Sequence, residues 1–93
     1  MKLPIRITDV AWAQFQALLP YQQQQARNLM RAIQIGAPGV GRPWNRDLRN
    51  RLHWIVSAYD THVIYRVVYR RQGDELLVTA VLVYETPPDP NNT

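Results

Sequence analysis

Histidine and arginine recur at alternate positions in the second half of the chain, and together they suit phosphodiester chemistry. Leu52, Trp54 and Val56 alternate with His53, Ile55 and Ser57, and Val63, Tyr65, Val67 and Tyr69 alternate with Ile64, Arg66, Val68 and Arg70. Side chains of equal parity share one face of a strand. With Trp54 and Tyr65 turned toward a core, His53, Arg66 and Arg70 turn the other way and are expected to meet on one open surface. An arginine there stabilises charge growing on a phosphate, and an imidazole exchanges protons near neutral pH. The ordinary alternative for Arg66 is a cross-strand ion pair with Asp60 or Glu75, and for His53 an exposed strand position without a task. His62 falls in a turn and reads as structural.

The charge supports a polyanionic partner. Ten arginines and the single Lys2 give a net charge of +4 and a pI near 10.0. Arginine presents a planar fork that grips phosphate with two bonds, where lysine would serve solubility as well. From Arg42 to Arg71 there are seven arginines against Asp47 and Asp60, so this stretch carries the excess. Arg42, Arg46, Arg49 and Arg51 are assigned to contact with a nucleic-acid backbone, with Arg70 beside them. Trp44, between Arg42 and Arg46, packs beneath the sheet or stacks on a base.

Other chemistries are excluded by composition. The chain has no cysteine, so disulfides, thiolate metal sites and cysteine nucleophiles are absent and a reducing compartment is expected. Two histidines without a carboxylate pair at ligand spacing make no metal site, and no cofactor is expected. Neither a signal-like apolar stretch nor a membrane-length run occurs, so the expected location is the cytoplasm. At 93 residues and 46% apolar content one domain fits, assigned to residues 1–86, with a proline-rich tail over 87–93.

The elements that must position these residues follow from periodicity. Leu3 to Ile7 reads as a short strand, with Pro4 confining it to an edge or a strand's start. Thr8 or Asp9 caps a first helix whose stripe is Ala11, Trp12, Phe15, Leu18 and Leu19, with Gln14 and Gln16 facing away. Pro20 stops it. A second helix over Tyr21 to Ile35 buries Ala26, Leu29, Met30 and Ile33, begins in a solvated Gln22 to Gln25 turn, and ends at Gly36 and Pro38. Ala37 to Trp44, with its glycines and prolines, reads as a loop. Three hairpin-linked strands follow: Leu52 to Ser57, His62 to Arg70, and Leu76 to Tyr84. The expected fold is α+β, a helical hairpin on one face of a mainly antiparallel sheet of three to four strands, in the order β-α-α-β-β-β. Tyr84 shares parity with Leu76, Val78, Ala80 and Leu82, and only a bulge or a strand end would turn it outward.

Val63-Ile64-Tyr65-Arg66-Val67-Val68-Tyr69 resembles the Tyr-Arg-hydrophobic-hydrophobic-Tyr strand of the RelE/ParE superfamily of bacterial toxins. It follows a Leu-X-Trp strand, Leu52-His53-Trp54, and precedes a short turn and a last strand, over a span of about residues 3 to 86. The resemblance implies a toxin neutralised by a small acidic antitoxin. RelE-like members cleave messenger RNA in the ribosomal A site, without metal, and ParE-like members poison DNA gyrase; a degenerate member would only bind its antitoxin. Arg66 stands where the cleaving branch contacts the scissile phosphate. Tyr84, with Glu85 beside it, stands where that branch often carries a histidine or tyrosine. Catalytic roles on this resemblance fall to Arg66, His53, Tyr84 and Glu85. Gly41-Arg42-Pro43-Trp44 is similar to the Gly-Lys-Pro-Glu loop of YoeB-like members, with Trp44 replacing their catalytic glutamate, and the middle-strand lysines of RelE are absent.

Overall fold

The computed structural model describes residues 3–36 and 40–85. Element order is β1 (Ile5–Ile7), α1 (Asp9–Gln16), α2 (Pro20–Gly36), β2 (Arg42–Arg46), β3 (Leu52–Asp60), β4 (Val63–Gln72) and β5 (Glu75–Glu85). The five strands form one sheet in the order β1-β5-β4-β3-β2. β1 runs parallel to β5 and every other neighbour is antiparallel. The architecture is thus the expected α+β pair of layers, with one strand more than the sequence reading gives. The proposed tail over 87–93 lies outside the described residues.

The extra strand is β2, in a stretch whose glycines and prolines read as loop. All five of its residues are exposed, so it is held by its backbone ladder to β3 and carries no apolar alternation to betray it. Pro43 is tolerated because β2 is an edge, where a missing N–H breaks little pairing. The register shifts between Pro43 and Asn45, leaving Trp44 as the extra residue of a bulge. Gly41 admits the chain: its φ is +82°, and a Cβ there would lie 2.6 Å from the Ile55 carbonyl oxygen. Residues 37–39 of the expected loop lie outside the described residues.

Thr8 caps α1, its hydroxyl accepting the Ala11 N–H at 3.2 Å. The helix ends at Gln16, short of the expected Leu19, because glutamines take over its terminus. The Gln23 amide donates to the carbonyls of Phe15 and Leu18, both at 3.3 Å. Gln22 reaches back to accept the Leu19 N–H at 3.0 Å, closing the start of α2. Pro20 opens α2, a position with no amide to leave unpaired. The glutamine run expected as a solvated turn therefore joins the two helices, and Gln22 is buried.

Beneath the helices, Ala11, Phe15, Ala26, Leu29, Met30 and Ile33 pack on Tyr65, Val67, Tyr69, Leu76, Val78 and Val81. Trp12, expected in this core, is 45% exposed. An eight-residue helix reaches the sheet along one row, Ala11 and Phe15, and the residue after Ala11 is rotated off that row. Its ring instead lies on Phe15, centroids 5.5 Å apart. Trp54 is half-buried against the core, as expected in kind.

β5 carries the second irregularity. Val68 pairs with Ala80 and Tyr69 with Val78, so Thr79 is bulged. Leu76 and Val78 before it, and Val81 and Val83 after it, all face the helices. The alternation expected to run unbroken to Tyr84 thus inverts, and Ala80, Leu82 and Tyr84 turn to the far face. Past Val78 the outer edge of β5 has lost β1, and α1 covers it. Gln14, expected to face away, accepts the Val81 N–H at 2.8 Å. No described helix is long and apolar enough to cross a membrane.

Candidate nucleic-acid interface

Arg66 lies midway along β4, the middle strand of the sheet, on the face the helices leave uncovered. Ser57 on β3 and Leu82 on β5 flank it in register. The next row toward the strand ends holds Tyr59, Ile64 and Tyr84. The Arg66 guanidinium carbon sits 5.5 Å from the centre of the Tyr84 ring. Its Nε is buried and has no hydrogen-bond partner among the described residues. A buried donor without a partner costs stability, and no group among the described residues offsets that cost at Nε. The ion pairs among the described residues are Arg6 with Glu75 and Arg51 with Asp47; the alternative pairing of Arg66 with Asp60 or Glu75 does not form.

The other half of this face is closed. Ile55 and Val68 are 2% and 6% exposed without belonging to the cluster under the helices, so they form a second, smaller apolar patch. His53 and Arg70 are buried beside it, at 9% and 8%. The His53 Nδ1 lies 3.2 Å from the Arg51 carbonyl oxygen, and Arg70 donates to the Gln72 side chain at 2.8 Å. His53 precedes Ser57 by four residues, about 13 Å along the strand. The expected meeting of one histidine and two arginines therefore does not occur: they share a face by parity, but apolar side chains fill the space between. Glu85 follows Tyr84 in the chain but pairs with Val63, which packs toward the helices, so it stands off the Arg66 face.

The loop from β2 to β3 explains two of the four clustered arginines. Asp47 accepts the N–H groups of Arg49 and Arg51 through Oδ1, at 2.9 and 3.0 Å, and the Arg51 Nε through Oδ2 at 2.7 Å. The Arg51 amide, with the other bonds to Arg51 and Arg49, holds this carboxyl below its ordinary value of 3.8 despite some desolvation. Arg46 donates to the Asn50 carbonyl at 3.1 Å, and Asn50 takes a left-handed φ of +62° that closes the turn. Arg51 and Arg46 thus brace the loop, while Arg42 and Arg49 are exposed on β2 and the loop. Trp44 is 47% exposed at its bulge and Leu48 stands fully out at the loop tip.

Sequence reasoning assigned no role to Tyr59 and Ser57, which line an open groove with Gly41, Arg42, Ile55 and Val56. Their parity with His53 was a readable signal, but an aromatic near a strand end is equally at home in a core. Among the described residues no three histidines or carboxylates gather as metal ligands.

No protein-family model matches the sequence, and no curated protein matches it significantly. Among solved structures, a chain of the toxin-antitoxin complex RelBE2 from Mycobacterium tuberculosis superposes with a TM-score of 0.64 at 20% identity, covering 87% of this chain and 96% of that one. At that identity the likeness is one of fold, and the chain is therefore built on the fold of a RelBE2 chain, as the RelE/ParE resemblance of its Tyr65-Arg66 strand leads one to expect.

Proposed function

We propose that this protein is the toxin of a toxin-antitoxin pair and acts as a ribosome-dependent endoribonuclease on messenger RNA, held in check by a small acidic antitoxin. The observation that carries this reading is Arg66 on the uncovered face of a RelE-like fold, its guanidinium over the Tyr84 ring and its Nε without a hydrogen-bond partner among the described residues. In this reading the message lies across the face with one phosphate on Arg66. Its 2′-hydroxyl attacks the adjacent phosphorus, the bond to the 5′-oxygen breaks, and a cyclic phosphate and a 5′-hydroxyl result. Arg66 stabilises the charge that builds on the phosphate oxygens. Tyr84 gives a proton to the departing oxygen, and the 2′-hydroxyl proton passes to solvent, since His53 and Glu85 both stand away from this row. Orientation by the ribosome offsets so sparse a catalytic set, because positioning alone supplies roughly 7 to 11 kcal/mol of a barrier.

The missing general base favours a second reading, a gyrase inhibitor of ParE type, which needs surface and charge but no proton transfer. Controlled expression in bacteria separates the two. Growth arrest with loss of translation, relieved by Arg66→Ala, supports cleavage. Arrest with loss of DNA supercoiling and an intact message pool supports the gyrase reading and rejects the first.

A further inference from the structure

We propose that the groove beside Tyr59 is a base-binding subsite for single-stranded RNA, taking the nucleotide next to the one whose phosphate rests on Arg66. The inference rests on the RNA-cleaving reading above and adds to it a residue that selects what is cut. The groove has a volume of about 370 Å³ and is lined by Gly41, Arg42, Ile55, Val56, Ser57 and Tyr59. That volume falls within the roughly 300 to 1,000 Å³ range of ligand pockets, room enough for a base.

Its place in the sheet ties it to the reacting phosphate. Ser57 is directly opposite Arg66, and Tyr59 lies two residues further along the same strand and the same face, about 7 Å away. A chain with its phosphate on Arg66 therefore reaches the groove with its neighbouring nucleotide. The groove also contains the two groups that hold a base without reading a duplex. Tyr59 is 71% exposed, leaving a ring face on which a base stacks whatever its identity. Arg42, exposed at the other wall, carries a fork suited to a phosphate or a base edge. The floor is rigid because it is backbone: Gly41 approaches the Ile55 carbonyl so closely that a Cβ would collide with it. Across Ile64, Tyr84 presents a second ring on the same row, so the two tyrosines flank the reacting nucleotide.

The test uses programmed ribosomes carrying messages with a single abasic nucleotide at successive positions around the cut, with single-turnover kcat/KM measured for wild type, Tyr59→Ala and Tyr59→Phe. For wild type, one abasic position flanking the cut lowers kcat/KM by roughly five- to a hundredfold, the worth of one base stacked on an aromatic ring. Tyr59→Ala loses the same factor on the intact message and becomes indifferent to that abasic position, while Tyr59→Phe keeps both rate and sensitivity. If wild type cleaves but Tyr59→Ala shows the same abasic profile, the subsite is overturned and the RNA-cleaving reading stands. If wild type cleaves no message, both fall together.

Discussion

Tyr65 and Tyr69 stand four residues apart on β4, both buried under the helices, and they differ in one bond. The Tyr69 hydroxyl donates to the Val40 carbonyl at 2.5 Å, tying the approach to β2 down to the core. The Tyr65 hydroxyl is buried without a partner among the described residues. Opposite outcomes follow for the same substitution. Tyr69→Phe should lower stability by about 1 kcal/mol, and Tyr65→Phe should raise it by about the same amount, because it removes an unsatisfied group and keeps the ring; urea unfolding measures both. Desolvation raises the pKa of each hydroxyl above the ordinary 10.0. The folded state thus resists deprotonation that the unfolded chain allows, so this contribution to stability is complete below about pH 10 and is lost as pH climbs toward the folded values. Alkaline unfolding should begin above pH 10 in wild type and at a higher pH in Tyr65→Phe, and an identical alkaline limb in the two proteins would contradict the assignment.

Strands, caps and bulges decide which of these side chains meet. Gly41 lets β2 reach β3, and Gly41→Ala would force both a left-handed backbone and a collision with the Ile55 carbonyl. A loss of about 1 to 3 kcal/mol is expected, with early hydrogen exchange confined to Arg42–Arg46 and its partner residues on β3. Gly73→Ala makes a useful contrast: the turn needs its positive φ, but nothing lies within 4 Å of the added carbon, so strain acts alone and β2 is untouched. The two substitutions also mark how far the sequence could be read. The buried stripe of the second helix, Thr8 as one of two candidate caps and Arg66 on the uncovered face were legible, because each depends on local spacing, whereas Trp12 and Leu19 of the first helix's expected stripe are exposed. β2 was not, since an exposed edge strand is held by backbone bonds that leave no apolar pattern. The face of Tyr84 turned on a single bulged residue, Thr79, inside a run of β-forming side chains. His53 shows the limit from the other side: parity named its face correctly, but distance along the strand and the burial around Ile55 and Val68 emerge only when the strands are assembled.

At the level of the whole molecule the net charge is +4, and the described residues form two ion pairs, Arg6 with Glu75 and Arg51 with Asp47. Single-stranded RNA should bind with an affinity that falls steeply as salt rises, and each phosphate contact removed should flatten the log-log slope by about 0.7. Arg42→Ala and Arg49→Ala should show that change without loss of stability. Arg51→Ala should differ from them, removing one side-chain brace of the loop while the backbone bonds to Asp47 remain, so that binding weakens with a stability loss of about 1 kcal/mol or less. The claim on which the functional account depends is that the Arg66 guanidinium receives the phosphate that reacts. It is tested most directly by the rate at which purified protein cuts the message on programmed ribosomes, wild type against an Arg66→Ala variant shown to unfold at the same temperature. The account predicts cleavage by wild type and a loss of roughly 10²- to 10³-fold on removing the guanidinium. Intact message at equimolar wild-type protein, or equal cutting by the variant, would contradict it.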